Sequence, residues 1–581
     1  MAVPVATTQG AELGVNAGRA IVDVLRAEGV TSVFGMPGGH IIGIYDALLA
    51  TPEIRHVLVR HEQIAAGLAA GHAQLTGEPA VCLVTAGPGV TNLLTGIAEA
   101  FVGALPVVII AGRGRTATRF RGASQELDTD RVFAPVTKMA VRVDRSDLIV
   151  DVLRQAFCVA RSGKPGPVLV EVPLDLHLED VPSKAYIPVG PPSRLAAEPS
   201  VIAAAADALM TAERPIIVAG GGTVMSGAFT ELRELAEMTA APVLTSLAGR
   251  GSIPDDHPLS AGGLGAHRNA ASKRLLADAD VVLGLGTRFE EMETNWRPGH
   301  VPATDACYIQ VDVDPAEIGR SVPAQIGIVG DVRTVLEDLL VAIRAKRPEQ
   351  CDWRSSTRTR ELGAAVAEID AEIERAAAST TTPIHPLRVI RTARQVFPRE
   401  TIVAFDVGVM AQHIAGAFPF FRVFEPRSCL VPSSFYGMGF AASALPVARV
   451  VHPERPAIGF VGDGSFQMVL SVLPMAAEYE LGVTWIVLND QALGSIRDIQ
   501  VHAFGGRVID TEFRLQPDFA GLAEACGCMG VRIDDPADVH EALVSALRAN
   551  EDGQPAVLDF AVAPVRLAQT REHYTHYPLE D

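Results

Sequence analysis

Two apolar segments near the C-terminal end of the chain each stop at an acidic residue, and this repeated arrangement strongly constrains the fold. The first segment, residues 457–461, leads into an Asp-Gly-Ser turn that begins at Asp463. The second segment, residues 485–488, is followed by an Asn-Asp pair that ends at Asp490. The interval between them fits one helix. Both acidic residues are therefore expected at the carboxyl edge of a parallel sheet, where ligands bind in open α/β folds.

The residue types at this edge favour a metal–diphosphate site. Carboxylate oxygens are ligands that suit Mg²⁺ or Ca²⁺, and the start of a helix after Gly464 favours a phosphate group. A lone Gly-Asp-Gly sequence also fits an ordinary tight turn. The second acidic strand end, at Asp490, makes the metal–diphosphate site the stronger interpretation.

Length and composition exclude several classes of protein. The chain has 581 residues, of which 48% are hydrophobic and 20% charged, and this predicts a packed protein of about three domains. Its net charge of −19 argues against a nucleic-acid or membrane-surface partner. We find no signal-peptide pattern and no apolar run of the ~20 residues that span a membrane. The seven dispersed cysteines fit reduced thiols, so we expect a cytoplasmic protein.

Alternating apolar and amphipathic segments predict an α/β fold with three Rossmann-like domains, each built on a parallel sheet. The expected domains span residues 14–182, 200–347 and 380–563, and a tail of residues 564–581 follows. We predict a helical connector over residues 354–378, and a tail that folds over a site as a lid or else dangles. Twelve apolar runs predict strands: residues 32–34, 80–85, 107–111 and 168–172; 215–218, 242–245, 280–285 and 307–313; 402–405, 456–461, 484–488 and 556–561.

Five further motifs precede the metal–diphosphate motif. They are Phe34-Gly35-Met36-Pro37-Gly38-Gly39-His40, Arg60-His61-Glu62-Gln63, Thr85-Ala86-Gly87-Pro88-Gly89-Val90-Thr91-Asn92, Gly122-Ala123-Ser124-Gln125-Glu126 and Phe435-Tyr436-Gly437-Met438-Gly439-Phe440. In this order they resemble the thiamine-diphosphate (ThDP) enzymes of the acetolactate synthase, glyoxylate carboligase and benzaldehyde lyase group. The resemblance covers residues 14–563. It implies a pyrimidine-binding domain, a central domain and a diphosphate-binding domain.

The resemblance assigns cofactor chemistry to Glu62 and Met438. A Glu at the position of Glu62 hydrogen-bonds N1′ of the aminopyrimidine in the family, which prepares the cofactor to act as an electron sink. Taken alone, a Glu after a His is more often a helix-cap carboxylate. Met438 matches a residue that wedges between the two cofactor rings, with ordinary core filling as its alternative. Glyoxylate carboligases are apolar at the Glu62 position, so Glu62 argues against that activity.

The same resemblance assigns the metal and diphosphate contacts. It implies that Mg²⁺ is held by Asp463, Asp490 and the backbone carbonyl of Ala492. Most relatives carry Asn at the position of Asp490, so this chain adds a negative charge beside the diphosphate. The expected diphosphate contacts are Gly464, Ser465 and the backbone of Leu493 and Gly494.

Four residues are candidates for contact with the substrate. The backbone at Gly39 is expected close to it, while His40 replaces a small residue and could be a substrate contact, a proton shuttle or a structural histidine. Gln125 and Lys138 match a substrate-channel Gln and Lys of acetolactate synthases, with surface polar residues as the alternative. Ser124 replaces a Phe of that pattern, which weakens the inference of pyruvate chemistry.

The central domain leaves the second cofactor and the substrate open. Residues 284–289 and 312–319 resemble the FAD-binding domain of acetolactate synthases, and residues 263–268 resemble a glyoxylate carboligase loop. Related enzymes use this domain for FAD, for ADP or for neither. Met292 stands where an Arg holds the carboxylate of the second 2-oxo acid, and Ile499 where a Trp selects 2-oxobutyrate. We therefore expect an activity other than branched-chain acetolactate synthesis.

These observations predict a ThDP- and Mg²⁺-dependent carboligase or decarboxylase that acts on 2-oxo acids or hydroxyketones. The resemblance implies a homodimer or homotetramer with active sites between two subunits. The competing hypothesis is a ThDP-dependent lyase or hydrolase that cleaves an acyloin or a 1,2-dione. A third hypothesis, a non-catalytic FAD- or nucleotide-binding relative, requires a decayed Glu62 or metal site, and neither is decayed.

Overall fold

The computed structural model describes residues 11–12, 16–181, 185–188, 190, 193–294, 305–346 and 352–564. The chain divides into two compact units, Met1–Ser193 and Arg194–Asp581. Residues 565–581, nearly all of the predicted tail, lie outside the described residues, so the lid stays a prediction. Within the described residues no helix is both long and apolar enough to cross a membrane.

Three sheets of six parallel strands confirm the predicted α/β fold class. In the first unit the strands are β1 (Ala11–Glu12), β2 (Ser32–Met36), β3 (Arg55–Leu58), β4 (Ala80–Val84), β5 (Val107–Arg113), β6 (Met139–Arg142), β7 (Val168–Pro173) and β8 (Ala185–Tyr186). In the second unit the central sheet contains β9 (Pro215–Ala219), β10 (Val243–Thr245), β11 (Ser260–Gly263), β12 (Val281–Leu285), β13 (Cys307–Asp312) and β14 (Ile326–Val329). The C-terminal sheet contains β15 (Ile402–Phe405), β16 (Cys429–Leu430), β17 (Ala457–Gly462), β18 (Thr484–Asn489), β19 (Met529–Ile533) and β20 (Ala556–Ala561).

Helices connect the strands and cover the sheets. In the first unit they are α1 (Ala17–Ala27), α2 (Ile42–Leu49), α3 (Glu62–Thr76), α4 (Pro88–Thr91), α5 (Leu94–Val102), α6 (Thr129–Phe133) and α7 (Ile149–Arg161). Around the central sheet they are α8 (Pro199–Thr211), α9 (Gly221–Ser226), α10 (Phe229–Thr239), α11 (Ala270–Asp278), α12 (Glu291–Thr294) and α13 (Val332–Lys346). The remaining helices are α14 (Thr357–Ala377), α15 (Pro386–Val396), α16 (Phe440–Ala444), α17 (Val447–Val451), α18 (Asp463–Gln467), α19 (Val472–Glu478), α20 (Gly494–Ala503), α21 (Phe519–Ala525) and α22 (Val539–Glu551).

The helix α14 confirms the predicted connector. Its apolar face, which includes Leu362, Ile369 and Ile373, is buried in a hydrophobic cluster that also contains residues of the central and C-terminal sheets. The opposite face carries the charged residues that marked the segment in the sequence. This division of one helix into an apolar stripe and a polar face is the usual pattern of a helix that packs on one side.

The first-unit sheet and the C-terminal sheet share one topology. Their strand orders are β3-β2-β4-β5-β7-β6 and β16-β15-β17-β18-β20-β19, and both correspond to the chain order second, first, third, fourth, sixth, fifth. The chain reverses its direction of winding between the first and third strands, which opens a crevice at their carboxyl ends. In the first unit this crevice lies after β2 and β4, and in the C-terminal sheet after β15 and β17.

The central sheet follows a different order. Its strands run β11-β10-β9-β12-β13-β14, which is third, second, first, fourth, fifth, sixth along the chain. This is the order of dinucleotide-binding Rossmann domains, whose crevice opens between the first and fourth strands. Here that position lies between β9 and β12, where a Cβ on Gly220 would come within 2.3 Å of the carbonyl oxygen of Gly286. Only glycine allows the two loops to approach so closely.

Candidate active site

The first cluster of candidate residues, in the first unit, is built around Glu62 at the start of α3. The helix is capped by His61, whose side chain accepts a hydrogen bond from the backbone N–H of Gln63 at 3.2 Å. Glu62 is therefore not the capping residue, and its side chain is only 2% exposed. The side-chain amide of Asn92 donates to its Oε2 at 2.8 Å. The carboxylate is thus buried and held by one neutral donor, an arrangement suited to a hydrogen bond with a bound group.

Glycines bring the predicted loops up to this carboxylate. A Cβ on Gly89 would lie 3.5 Å from Oε1 of Glu62, so the loop after β4 passes directly over it. Gly87 has a φ of +60°, and a Cβ there would meet the Cβ of Gln125 at 2.9 Å. The structure therefore gathers Glu62, this loop and Gln125 at the carboxyl edge of the sheet.

The turn after β2 reaches the same edge. A Cβ on Gly38 would come within 2.5 Å of the Cβ of Thr85, which follows β4. The next residue, Gly39, is exposed, and His40 is half-buried. The ring of His177 donates from Nε2 to the backbone carbonyl of His40 at 3.2 Å. Among the described residues, Nδ1 of His40 and Oγ1 of Thr85 are buried without a hydrogen-bond partner. The substrate roles of Gly39 and His40 stay predictions.

Lys138 lies elsewhere in the first unit. It immediately precedes β6, which places it at the amino edge of the sheet, opposite the edge that carries Glu62 and Gln125. Its ammonium group donates to the carbonyls of Val159 and Ser162 at the end of α7. Burial lowers the pKa of Lys138. A cation that binds the last carbonyls of a helix stabilises it. The structure thus gives Lys138 a helix-capping contact, and its role in a substrate channel stays a prediction.

The second cluster of candidate residues, in the C-terminal sheet, contains two buried carboxylates. Asp463 begins α18 directly after β17, and Asp490 directly follows β18. Burial and the negative charge of Asp490 raise the pKa of Asp463 to about 7. Burial also raises the pKa of Asp490, although Arg497 opposes that shift. Two buried like charges repel each other, and a divalent cation would relieve this repulsion.

A backbone carbonyl completes the predicted ligand set. Ala492 is buried and forms an isolated antiparallel bridge with Glu512. The hydrogen bonds of this bridge use the carbonyl of Gln491 and the N–H of Leu493, so the Ala492 carbonyl takes no part in it. No group of three or more His, Cys, Asp or Glu side chains that could hold a metal ion occurs in the described part of the chain. Two carboxylates, one carbonyl and the oxygens of a diphosphate would nonetheless fit Mg²⁺.

Met438 and the expected diphosphate contacts lie beside these carboxylates. A Cβ on Gly464 would lie 3.7 Å from Cε of Met438 and 2.8 Å from Cδ2 of Leu493. A Cβ on Gly494 would lie 3.2 Å from Oδ2 of Asp490. Met438 is only half-buried, which argues against a role as ordinary core filling. Side chains larger than hydrogen at the two glycines would occupy the space next to the metal–diphosphate motif.

The hydroxyl of Ser465 faces the protein. It donates to the carbonyl of Val407 at 3.4 Å and lies next to the carboxylate of Asp406. The hydroxyl is therefore engaged inside the domain, and the predicted diphosphate contact of Ser465 stays a prediction that would involve its backbone N–H.

Sequence reasoning missed Asp406, which organises the cluster of candidate residues in the C-terminal sheet. The residue follows β15 and is fully buried, and its carboxylate accepts hydrogen bonds from four backbone N–H groups. The donors are Val407 at 2.8 Å, Gly439 at 3.0 Å, Ala441 at 2.9 Å and Ala442 at 3.2 Å. Burial raises the pKa of Asp406 to about 6, and these N–H donors oppose the shift. Asp406 thus ties the end of β15 to the segment that carries Met438.

A second missed residue lies in the π-helical turn Val409–Ala415, which follows β15. Gln412 is 1% exposed. Neither atom of its side-chain amide has a hydrogen-bond partner among the described residues. A buried polar group without a partner costs free energy unless a bound molecule or water supplies one. Its position at the same sheet edge fits a domain that binds a polar cofactor.

In the central domain, the sequence linked the positions of Arg288 and Met292 to substrate binding. Arg288 forms an ion pair with Glu290 at 2.9 Å. Met292 lies in α12, and its carbonyl oxygen would meet a Cβ on Gly265 at 2.0 Å. The loop at 263–268 and α12 therefore pack closely, and the nearest cationic residue in sequence, Arg288, already has an acidic partner.

Comparisons with known proteins agree with this geometry. Residues 15–132 match the thiamine pyrophosphate enzyme N-terminal TPP binding domain, residues 202–339 the central domain, and residues 407–560 the C-terminal TPP binding domain. Glu62 lies within the first matched range, and Asp463 and Asp490 lie within the third. The two clusters of candidate residues thus lie in the two matched TPP binding domains, one in each.

Full-length relatives carry one activity in their names. The chain is 35% identical over 560 residues to the probable acetolactate synthase large subunit of Methanocaldococcus jannaschii, covering 94% of this chain and 91% of the relative. It is 34% identical over 571 residues to the acetolactate synthase isozyme 3 large subunit of Escherichia coli K12, covering 95% and 94%. The acetolactate synthase large subunit of Haemophilus influenzae is 34% identical over 537 residues, with 90% and 91% covered.

The chain belongs to the thiamine pyrophosphate enzymes. Within them it is an acetolactate-synthase-like enzyme that forms C–C bonds. The names of these relatives give no support to the prediction that the chain differs from branched-chain acetolactate synthases.

Replacing Asp406 with Asn should destabilise the protein. The amide has one acceptor oxygen where the carboxylate has two, and its NH₂ group would face backbone N–H donors that then lack a partner. We expect a loss of about 1–3 kcal/mol in the free energy of unfolding, measured with urea. Asp535→Asn is the matched control, because Asp535 is exposed and accepts one backbone bond, from Ala537. Equal unfolding midpoints for the two variants would contradict the organising role of Asp406.

Proposed function

We propose that the chain is a Mg²⁺-dependent ThDP carboligase whose donor substrate is a 2-oxo acid. The observation that carries this proposal is the pair of buried carboxylates, Asp463 and Asp490, beside the glycine turn at Gly464. A chain that keeps this pair, together with a buried Glu62, retains the groups that the chemistry requires. The names of the relatives support a 2-oxo acid, because acetolactate forms from two pyruvate molecules with the loss of one CO₂.

When bound, ThDP supplies a carbon nucleophile and an electron sink for the C–C bond that is broken or formed. The protein's part is to hold and orient it. Asp463, Asp490 and the carbonyl of Ala492 would hold Mg²⁺ against the diphosphate, and Met438 would support the bent cofactor shape. Glu62 would hold a proton between its carboxylate and N1′ of the aminopyrimidine, in a buried position from which water is largely excluded.

A second candidate is a ThDP-dependent lyase or hydrolase that cleaves an acyloin or a 1,2-dione. The ion pair between Arg288 and Glu290 favours it, since this cation is already neutralised within the chain. The apolar Met292 provides no replacement for it. A buried substrate carboxylate without a cationic partner is costly, and a neutral acceptor avoids that cost.

FAD is the second cofactor that we infer for the central domain. The dinucleotide-binding strand order supports this assignment, as do residues 284–289 and 312–319 at the ends of β12 and β13. Asp312 lies at such a strand end and accepts a hydrogen bond from the N–H of Asp314 at 2.9 Å. A purified protein that carries flavin should absorb near ~450 nm, because only the flavin ring system absorbs there. Full activity in a colourless protein would contradict the assignment.

The enzyme should release CO₂ from pyruvate in the presence of ThDP and Mg²⁺, and Glu62→Gln should abolish most of this activity. Glutamine cannot exchange a proton with N1′, so we expect turnover to fall about 10²–10⁴-fold. Calorimetric binding of ThDP should persist in the variant, because the groups on β17 and β18 are unchanged. A panel with acetoin, benzoin and a cyclic 1,2-dione distinguishes the two candidate functions. Unchanged turnover in Glu62→Gln would refute the proposed role of this residue.

We further propose a homo-oligomer in which Glu62 of one subunit serves the cofactor held by Asp463 and Asp490 of another. The two inactive variants Glu62→Gln and Asp463→Ala should then complement each other when they are mixed and allowed to exchange subunits. In a mixed dimer one site combines both mutations and the other combines neither. After random exchange in an equal mixture, about one quarter of all sites should therefore be wild type. If each chain built its own site, mixing would restore nothing.

A further inference from the structure

The carboxylate of Asp490 is held by a cation from the same loop-to-helix segment. Nη2 of Arg497, in the first turn of α20, donates to Oδ2 of Asp490 at 2.6 Å. The contact lies inside the protein, because the side chain of Asp490 is 3% exposed and that of Arg497 is 13% exposed. A charge-assisted bond in such surroundings is strong and is little screened by salt.

This contact changes the charge balance of the metal–diphosphate motif. Asp490 adds a carboxylate next to Asp463 at the edge of the C-terminal sheet. Arg497 contributes one positive charge directly on Asp490. Asp490 and Arg497 together carry no net formal charge, so the pair adds none relative to an uncharged Asn at position 490. The buried Asp498 is a further carboxylate that acts on Asp490. Arg497 thus contacts Oδ2 of Asp490 and does not contact Oδ1.

We propose that Arg497 is a positioning residue of the metal–diphosphate site, which makes Asp490 act as a ligand without adding net charge. Its guanidinium cancels the repulsion between Asp490 and the diphosphate and orients the carboxylate for a single metal contact through Oδ1. The inference rests on the proposed Mg²⁺–ThDP function and explains how this chain accommodates an acidic residue at position 490.

A purely structural ion pair would behave differently. Buried ion pairs often add little to stability, because the cost of removing two charges from water offsets their attraction. If Arg497 served only the fold, its loss would change the unfolding midpoint and leave the dissociation constant of ThDP unchanged. The affinity for the cofactor is therefore the quantity that separates the two roles.

The experiment is a double-mutant cycle on the cofactor-free protein, with binding measured by isothermal titration calorimetry. The variants are Arg497→Met, Asp490→Asn and the double variant, and the probes are Mg²⁺ alone and ThDP at saturating Mg²⁺. Arg497→Met should weaken ThDP binding about tenfold or more, since a bare carboxylate then faces the diphosphate. It should not weaken the binding of Mg²⁺ alone. The double variant should return to within about threefold of wild type, because both charges are gone.

Two further variants control for folding. Arg497→Lys keeps the charge and should retain more ThDP affinity than Arg497→Met. Arg161→Met breaks a pair of similar burial, Arg161 with Glu28 at 2.7 Å in the first unit, and should leave ThDP binding unchanged. If Arg497→Met fails to fold but the double variant folds and binds ThDP, the coupling to Asp490 is supported.

The proposal is overturned if the double variant binds ThDP as weakly as Arg497→Met, or fails to fold. It is also overturned if Arg497→Met binds ThDP as tightly as wild type. Failure of the wild-type protein to bind ThDP with Mg²⁺ would instead overturn the proposed function. The two failures are therefore distinguishable.

Discussion

Parallel strand pairing is the constraint on which the rest of the structure depends. When all six strands of a sheet point the same way, every loop that follows a strand emerges at one edge. In the C-terminal sheet this rule brings Asp406, Asp463 and Asp490 together from the ends of three neighbouring strands. In the first unit the same strand order brings the loop after β4 to the carboxylate of Glu62 and the loop after β2 to Thr85. Two copies of one topology thus each provide one cluster of candidate residues.

Three buried carboxylates that follow strands of the C-terminal sheet are each stabilised in a different way. Asp406 is surrounded by four backbone N–H donors and serves to hold the segment that carries Met438. Asp490 is paired with Arg497. Asp463 accepts a hydrogen bond from the side chain of Gln516 and has no cation among the described residues as partner. Burial and the charge of Asp490 raise its pKa, which the Gln516 bond opposes. The charge that remains uncompensated lies where the proposed Mg²⁺ would bind.

The strands that were predicted and those that were missed differ in their position within the sheets. In the three six-stranded sheets, the twelve predicted runs are the four inner strands of each sheet, and the missed strands are the two edges of each sheet: β3, β6, β11, β14, β16 and β19. The short strands β1 and β8, which pair with each other, were missed as well. Inner strands of parallel sheets are covered on both faces and have neighbours on both sides, so they appear as continuous apolar runs. Edge strands are shorter, more polar or glycine-rich, as in Ser260–Gly263, and depend on the neighbouring strand for their conformation.

The candidate site residues that were predicted and those that were missed also differ for a physical reason. Glu62, Met438 and Asp463 were found because their motifs are contiguous in the sequence, and the structure places each at a carboxyl edge. Asp406 follows an apolar run in the same manner as Asp463, so its signal was present, but its partner Gly439 lies 33 positions away. Lys138 was assigned by resemblance to a motif, and the structure adds that it precedes the edge strand β6, at the amino edge of the sheet.

By itself, the sequence determined the fold class, the inner strands and the family, since continuous apolar runs and contiguous motifs are local properties of the chain. Only the tertiary structure decided which charges compensate one another: four N–H donors on Asp406, Asn92 on Glu62, and Arg497 on Asp490. These pairings depend on which loops the strand order brings together and on how deeply each carboxylate is buried. Burial and proximity in space set the strength of an electrostatic interaction, and neither is written in the order of residues alone.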